Sequence, residues 1–159
     1  MKNVSCVLKI SAVLFICFCA AGCLSVPKKS GYAYFPQEKT SYVVAINSVN
    51  VIVDRVNEND LSEQFEQITE SLINKGVDFE DAEVLNLDIC VNQRSFYRGL
   101  DKHTSIYMLY SLTDSRENTV FKQGYYAYTD RGLEQSPVQF KLSRRLAKSV
   151  NSYLKKSRR

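Results

Sequence analysis

The chain has 159 residues, 45% hydrophobic and 24% charged, with a formal net charge of +4, ten tyrosines, no tryptophan and five cysteines. This length and apolar content suit one packed domain and exclude a disordered chain. Four of the five cysteines lie within the first 23 residues, so Cys90 stands alone downstream and an intramolecular disulfide framework is excluded.

The chain opens with Lys2 and an apolar run from Val7 to Ala21, broken only by Lys9 and Ser11, and small residues (Ala20-Ala21-Gly22) lead to Cys23. This is the pattern of a bacterial lipoprotein signal peptide over residues 1–22. The peptidase that cuts before such a cysteine admits an extended backbone at the membrane surface, which small side chains permit. Ala20 stands where leucine is usual, and an ordinary secretory signal or an uncleaved anchor are the competing readings. The run, about 15 residues, falls short of the roughly 20 that span a bilayer as a helix. Cys23 is therefore expected to carry diacylglycerol and an acyl chain, with no other cofactor. Two or three chains anchor stably, at about 0.8 kcal/mol per buried methylene. Leu24 and Ser25 follow, with no Asp at position 24 to retain the protein in the inner membrane, so the outer membrane, on its periplasmic face, is the expected address.

Removal of residues 1–22 leaves 137 residues and a charge of +2. Residues 23–40 are expected to form the lipidated cysteine and a flexible tether, because Pro27, Gly31 and Pro36 oppose regular structure. Lys28 and Lys29 are placed to meet anionic headgroups. Tyr32, Tyr34 and Phe35 are candidates to dock on the domain or on a partner.

Residues 41–157 are expected to be a single α/β domain. A first strand is predicted over Ser41 to Arg55, apolar on both faces for part of its length, which suggests a central place in the sheet. Asn47, Ser48 and Asn50 interrupt it and predict a bulge or bend. A helix follows over Glu58 to Lys75, with Asn59 or Asp60 as cap, an apolar stripe of Leu61, Phe65, Ile68 and Leu72, and Gly76 as the stop. Val77 to Glu83 reads as an acidic loop. The second strand, about Val84 to Tyr97, has the cleanest alternation: Leu85, Leu87, Ile89 and Val91 inward, with Asn86, Asp88, Cys90 and Asn92 outward.

A turn around Gly99 leads to a third strand over Thr104 to Leu112, and a hairpin at Asp114 to Asn118 leads to a fourth over Thr119 to Tyr128. The final helix opens at Ser136-Pro137, with Ser as cap and Pro at its first position. Its buried stripe is Leu142, Leu146, Val150, Tyr153 and Leu154. The order β-α-β-β-β-α predicts an α+β two-layer sandwich, a four-stranded mixed sheet with both helices on one face.

Charge is the main signal beyond the leader. Residues 41–100 carry eleven acidic and four basic side chains, whereas Lys141, Arg144, Arg145, Lys148, Lys155, Lys156, Arg158 and Arg159 follow position 140 with no acidic residue among them. An exported domain is not expected to meet nucleic acid, so the predicted partners of this basic helix are anionic headgroups or an acidic protein surface. Candidate contacts are Tyr126 and Tyr128 on the fourth strand and Arg144, Arg145, Lys148, Lys155 and Lys156 on the helix. Cys90 and His103 form the one thiol–imidazole combination, without an oxyanion pattern beside it. The carboxylates at 78, 80, 81 and 83 lack the glycine and terminal glutamate of an EF-hand loop, and no metal is expected. No nucleophile elbow, phosphate loop, HExxH or CxxC motif occurs, so no enzyme is expected.

The lipidated cysteine, the short lead-in and the element order resemble the auxiliary lipoproteins of ABC-type lipid-transport systems. The resemblance covers residues 41–156 in outline, through a helix ending in Lys75-Gly76 and a terminal helix with Leu-Ala-x-Ser-Val at Leu146 to Val150. Lipoproteins that plug the lipopolysaccharide-insertion barrel or activate peptidoglycan synthases are similar in outline. The resemblance implies a membrane-anchored, non-enzymatic partner of another envelope protein in transport or assembly. The alternative is a surface-displayed binding protein of the adhesin kind.

Overall fold

The fold is that of a computed structural model, which describes residues 30–35, 40–75 and 82–157. The leader, Cys23, Lys28, Lys29, Gly76, most of the acidic loop, Arg158 and Arg159 lie outside them. The elements are β1 (Ser30–Ala33), β2 (Tyr42–Val53), β3 (Val56–Asn57), α1 (Asn59–Glu70), β4 (Glu83–Arg98), β5 (Asp101–Thr113), β6 (Thr119–Thr129) and α2 (Ser136–Ser157). They form one six-stranded sheet in the order β1-β6-β5-β4-β2-β3, with both helices packed on one side. Only β2 and β4 run parallel, joined across α1.

The expected four-stranded sheet is thus corrected to six strands. Both additions were read as connections. β1 comes from the segment expected to be a flexible tether, and it pairs antiparallel with the edge of β6, from Ser30↔Gly124 to Ala33↔Phe121. Tyr34 prolongs the pairing, its N–H donating to Val120 O at 2.8 Å. β3 follows the tight turn Asp54-Arg55, where φ of 49° and 76° has the sign pattern of a two-residue hairpin turn. The Asp54 carboxylate holds this turn by accepting the Ser95 N–H at 2.7 Å, which also lowers the Asp54 pKa.

β2 corrects a second expectation. It lies towards the sheet edge, flanked by β4 and, at its far end only, by the two-residue β3. Its pairing with β4 shifts register between Ile46 and Ser48. The bulge inverts the parity of the strand, so Val44 and Ile46 before it, and Val49, Val51 and Val53 after it, all face the helices. Apolar residues on alternating parities therefore reflect one buried face with a bulge in it.

The exposed side of β2 is closed by a side chain. Val44 N–H donates to Asn74 Oδ1 at 3.0 Å and Asn74 Nδ2 donates to Val44 O at 2.7 Å, so one amide satisfies both backbone groups as a neighbouring strand would. Asn74 has φ 59°, a left-handed conformation that Asn tolerates. Asn74→Ala is expected to cost about 1–3 kcal/mol by orphaning these groups and to promote edge-to-edge association. Chemical denaturation and light scattering check the two effects.

α1 ends at Glu70, earlier than its apolar pattern suggests, and neither Asn59 nor Asp60 caps it. The N-cap position is Glu58, with no side-chain capping bond. Ser62 ties this end down instead, donating to Glu58 O and accepting the Val51 N–H. In α2, Leu142, Leu146, Val150, Tyr153 and Leu154 are all buried as expected. They meet Leu85, Leu87, Ile89 and Val91 of β4 and Ile106, Met108, Tyr110 and Leu112 of β5 in one core. A buried pair, Thr69 Oγ1 donating to Ser143 Oγ at 3.1 Å, joins the helices.

Candidate functional site

α2 packs with its apolar stripe on the sheet, which turns a second stripe towards β6 and β1. Lys141, Arg145, Lys148, Ser152 and Lys156 recur every three or four residues, with Arg144 beside them, and so share one face of the helix. Across from them stand Phe121, Gln123 and Tyr125 of β6, with Ala33 and Phe35 at the end of β1. Between the two walls runs an open groove of about 670 Å³, lined by five cationic side chains and no carboxylate.

Among the described residues the one ion pair is His103 Nδ1 to Asp130 Oδ1, at 3.5 Å, remote from the groove. Lys155 and Lys156 occupy the last turn of α2, where the helix dipole favours positive charge. Lys141, Arg144, Arg145 and Lys148 are too far from that end to gain from it. Lys141 with Arg145, and Arg144 with Lys148, are like-charge pairs at i,i+4, which weaken a helix by roughly 0.2–0.5 kcal/mol each.

The opposite wall is organised around polar and aromatic groups. Arg145 Nη1 donates to the Tyr125 hydroxyl at 3.0 Å, and its guanidinium carbon lies 4.1 Å from the Tyr125 ring centre, a cation–π geometry. Gln123 Oε1 accepts from Tyr110 Oη at 3.0 Å and from Ser149 Oγ. Both bonds use the amide oxygen, and no described residue takes the amide NH₂. Burial raises the Tyr110 phenol pKa and pushes Tyr153 up to about 12. Tyr153 closes the far end: its hydroxyl donates to Tyr34 O at 2.8 Å, and its ring lies 5.2 Å from Phe35 and 5.0 Å from Phe121. The helix wall of the groove is therefore cationic from Lys141 to Lys156, with four of its five cations over Lys141 to Lys148, and Phe35 and Phe121 gather around Tyr153.

Of the sequence-predicted contacts, Arg144, Arg145, Lys148 and Lys156 line this groove, and Lys155 is exposed outside it. Tyr126 and Tyr128 are not brought to it. They project from the other, helix-free face of the sheet, where their rings meet edge to face at 5.0 Å and Phe96 contacts Tyr128 and His103 at 6.1 and 5.7 Å. The hydrogen bond with Tyr128, and then burial, raise the Tyr126 pKa. Tyr107, paired with Tyr126, extends this exposed aromatic patch. Cys90 shares that face, but pairing of Cys90 with Leu109 and of Phe96 with His103 separates thiol from imidazole by about 20 Å along the strands. Among the described residues no group of three or more His, Cys, Asp or Glu side chains is placed to hold a metal ion, and no helix is long and apolar enough to cross a membrane.

Gln123, Tyr125, Ser149 and Ala33 belong to the groove and were not singled out from sequence. The available signal was the spacing of Lys141, Arg145, Lys148, Ser152 and Lys156; the opposite wall needed the pairing of β1 with β6.

No protein-family model matches the chain, and no curated protein matches it. Solved structures do match, two PelC structures among them. A PelC dodecamer from Paraburkholderia phytofirmans is 17% identical, with a TM-score of 0.51, covering 74% of this chain and 94% of its own. A single-substitution variant of PelC from the same organism, also a dodecamer, is 16% identical, with a TM-score of 0.47, covering 81% and 97%. At these identities the likeness extends to the fold. Both neighbours are PelC, not the transport auxiliary lipoproteins that the element order resembles.

Proposed function

We propose that this chain is a lipoprotein, anchored through diacylglycerol and an acyl chain on Cys23 in the outer membrane and facing the periplasm. It acts without catalysis as a partner in cell-envelope transport or assembly. The observation that carries this reading is the cationic groove, whose second wall, mostly β6, is completed by Ala33 and Phe35 of the segment leading away from Cys23. A docked β1 brings the tether to Ser30, beside Gly124, and the seven residues from Cys23 reach at most about 25 Å. The groove and the membrane surface are then neighbours.

The helix-free sheet face, with Tyr126 and Tyr128, is the surface offered to an envelope protein. A solved protein of similar fold is a dodecamer, and the reading extends to further copies of this chain among its partners. The intact mass of protein purified from envelopes tests the anchor. A chain beginning at Cys23 and carrying glyceride and acyl mass is expected, and an unmodified chain with a different first residue would contradict it.

A further inference from the structure

The groove is unlike an ordinary solvated helix face in three ways. Its cations have an opposing wall, none of them has a carboxylate partner among the described residues, and four of the five fall at one end. Lys141, Arg144, Arg145 and Lys148 fall within two turns. This combination suits a phosphate group: guanidinium forks bind its oxygens in pairs, and ammonium groups add point charge. Gln123 lines the same groove, and no described residue accepts from its NH₂, which adds a further donor.

Towards Tyr153 the character changes. From Lys148 to Tyr153 the helix advances about 8 Å, and there Phe35, 43% exposed, packs against the buried Tyr153 ring, which in turn meets Phe121. A small inorganic anion would leave these rings unused, and Lys156, one turn beyond Tyr153, is the one groove cation at this end. A ligand with a phosphate ester at one end and an apolar portion a few atoms away matches both.

We propose that the α2–β6–β1 groove binds the phosphate-ester headgroup and first apolar segment of an anionic amphiphile, with the phosphate among Lys141, Arg144, Arg145 and Lys148 and the apolar portion against Phe35, Phe121 and Tyr153. This deepens the proposed function by naming a ligand class, and it rests on that reading for the ligand's source in the adjacent membrane.

The test uses the full chain purified from envelopes in a non-ionic detergent, with tyrosine fluorescence as the readout. The probes are dihexanoylphosphatidylglycerol, dihexanoylphosphatidylcholine, glycerol 3-phosphate and polygalacturonate. Saturable binding of the phosphatidylglycerol at least about tenfold tighter than that of the other three is expected. Arg144→Glu with Lys148→Glu should weaken it about 100-fold, as expected for two charged contacts, and Phe35→Ser should weaken it while leaving any glycerol 3-phosphate binding unchanged. Arg144 and Lys148 are exposed, and Arg144→Gln with Lys148→Gln provides a neutral pair in which the same direction of effect must appear.

Equal binding of the two lipids, or wild-type affinity in the charge-reversed variant, would overturn the proposal. Glycerol 3-phosphate binding as tightly as the lipid would remove the apolar half of the site. Preferential binding of polygalacturonate would assign the groove to an anionic glycan instead. The intact mass of the same preparation reports the Cys23 anchor independently, so loss of headgroup binding and loss of the anchored reading are separable.

Discussion

Replacing Tyr153 by Ala should lower stability by about 3–5 kcal/mol, in the range of large aromatic truncations in cores. Tyr153 is 3% exposed and joins three parts of the fold: its backbone belongs to α2, its ring meets Phe121 of β6, and its hydroxyl and ring hold Tyr34 and Phe35. Tyr153→Phe separates these roles. It keeps the packing and loses one hydrogen bond, so it should cost only about 1 kcal/mol globally. Its main effect should be faster hydrogen exchange at residues 31–35, with β4 and β5 unchanged. Unfolding curves together with site-resolved exchange distinguish a loosened β1 from a weakened core.

The same residue sets an alkaline limit. Burial raises the Tyr153 pKa from an ordinary 10.0 to about 12, so the folded state resists the charged form. The contribution is fully present below the unfolded value and is lost as pH rises from about 10 towards 12. An alkaline titration of the wild type should show β1 releasing in that window, and Tyr153→Phe should remove this step.

The second large effect is expected at Phe65. It is fully buried on α1, the helix that connects the parallel strands β2 and β4, and it packs into the same core as Val51 and Leu146. Phe65→Ala should cost about 3–5 kcal/mol. Neighbouring Thr69 shares a buried bond with Ser143, so the loss should also loosen α1 from α2. Glu66, exposed one position further on, is the control: Glu66→Ala should change stability by less than about 0.5 kcal/mol. Denaturant midpoints with unchanged slopes check both values.

What the sequence makes legible follows its periodicities. The strict alternation of Leu85 to Val91 and of Ile106 to Leu112 places β4 and β5, and the stripe from Leu142 to Leu154 places α2, because each pattern is local and repeats over several residues. β1 is four residues, Ser30–Ala33, between two prolines, with no alternation to read. Only the free edge of β6 makes it a strand. β3 is shorter still, and the inverted parity of β2 becomes readable once the bulge at Ile46/Ser48 is known. Asn74 lies beyond pattern altogether, since its role depends on reaching Val44 thirty positions earlier. The candidate site divides in the same way. Its cations were visible as a charge run and its basic stripe as a helical spacing. Its second wall joins residues 33 and 35 to residues 121–125, a non-local pairing that no local signal carries.

We propose above that this chain serves the envelope as a tethered partner. It is tested most directly by affinity purification of the tagged, acylated protein from detergent-solubilised envelopes, with mass spectrometry of the proteins recovered. Stoichiometric recovery of an envelope transport or assembly component is expected, abolished or weakened by Tyr126→Ala with Tyr128→Ala while the thermal midpoint stays nearly unchanged. Recovery of the acylated chain with no second protein, identical for wild type and variant, would contradict it.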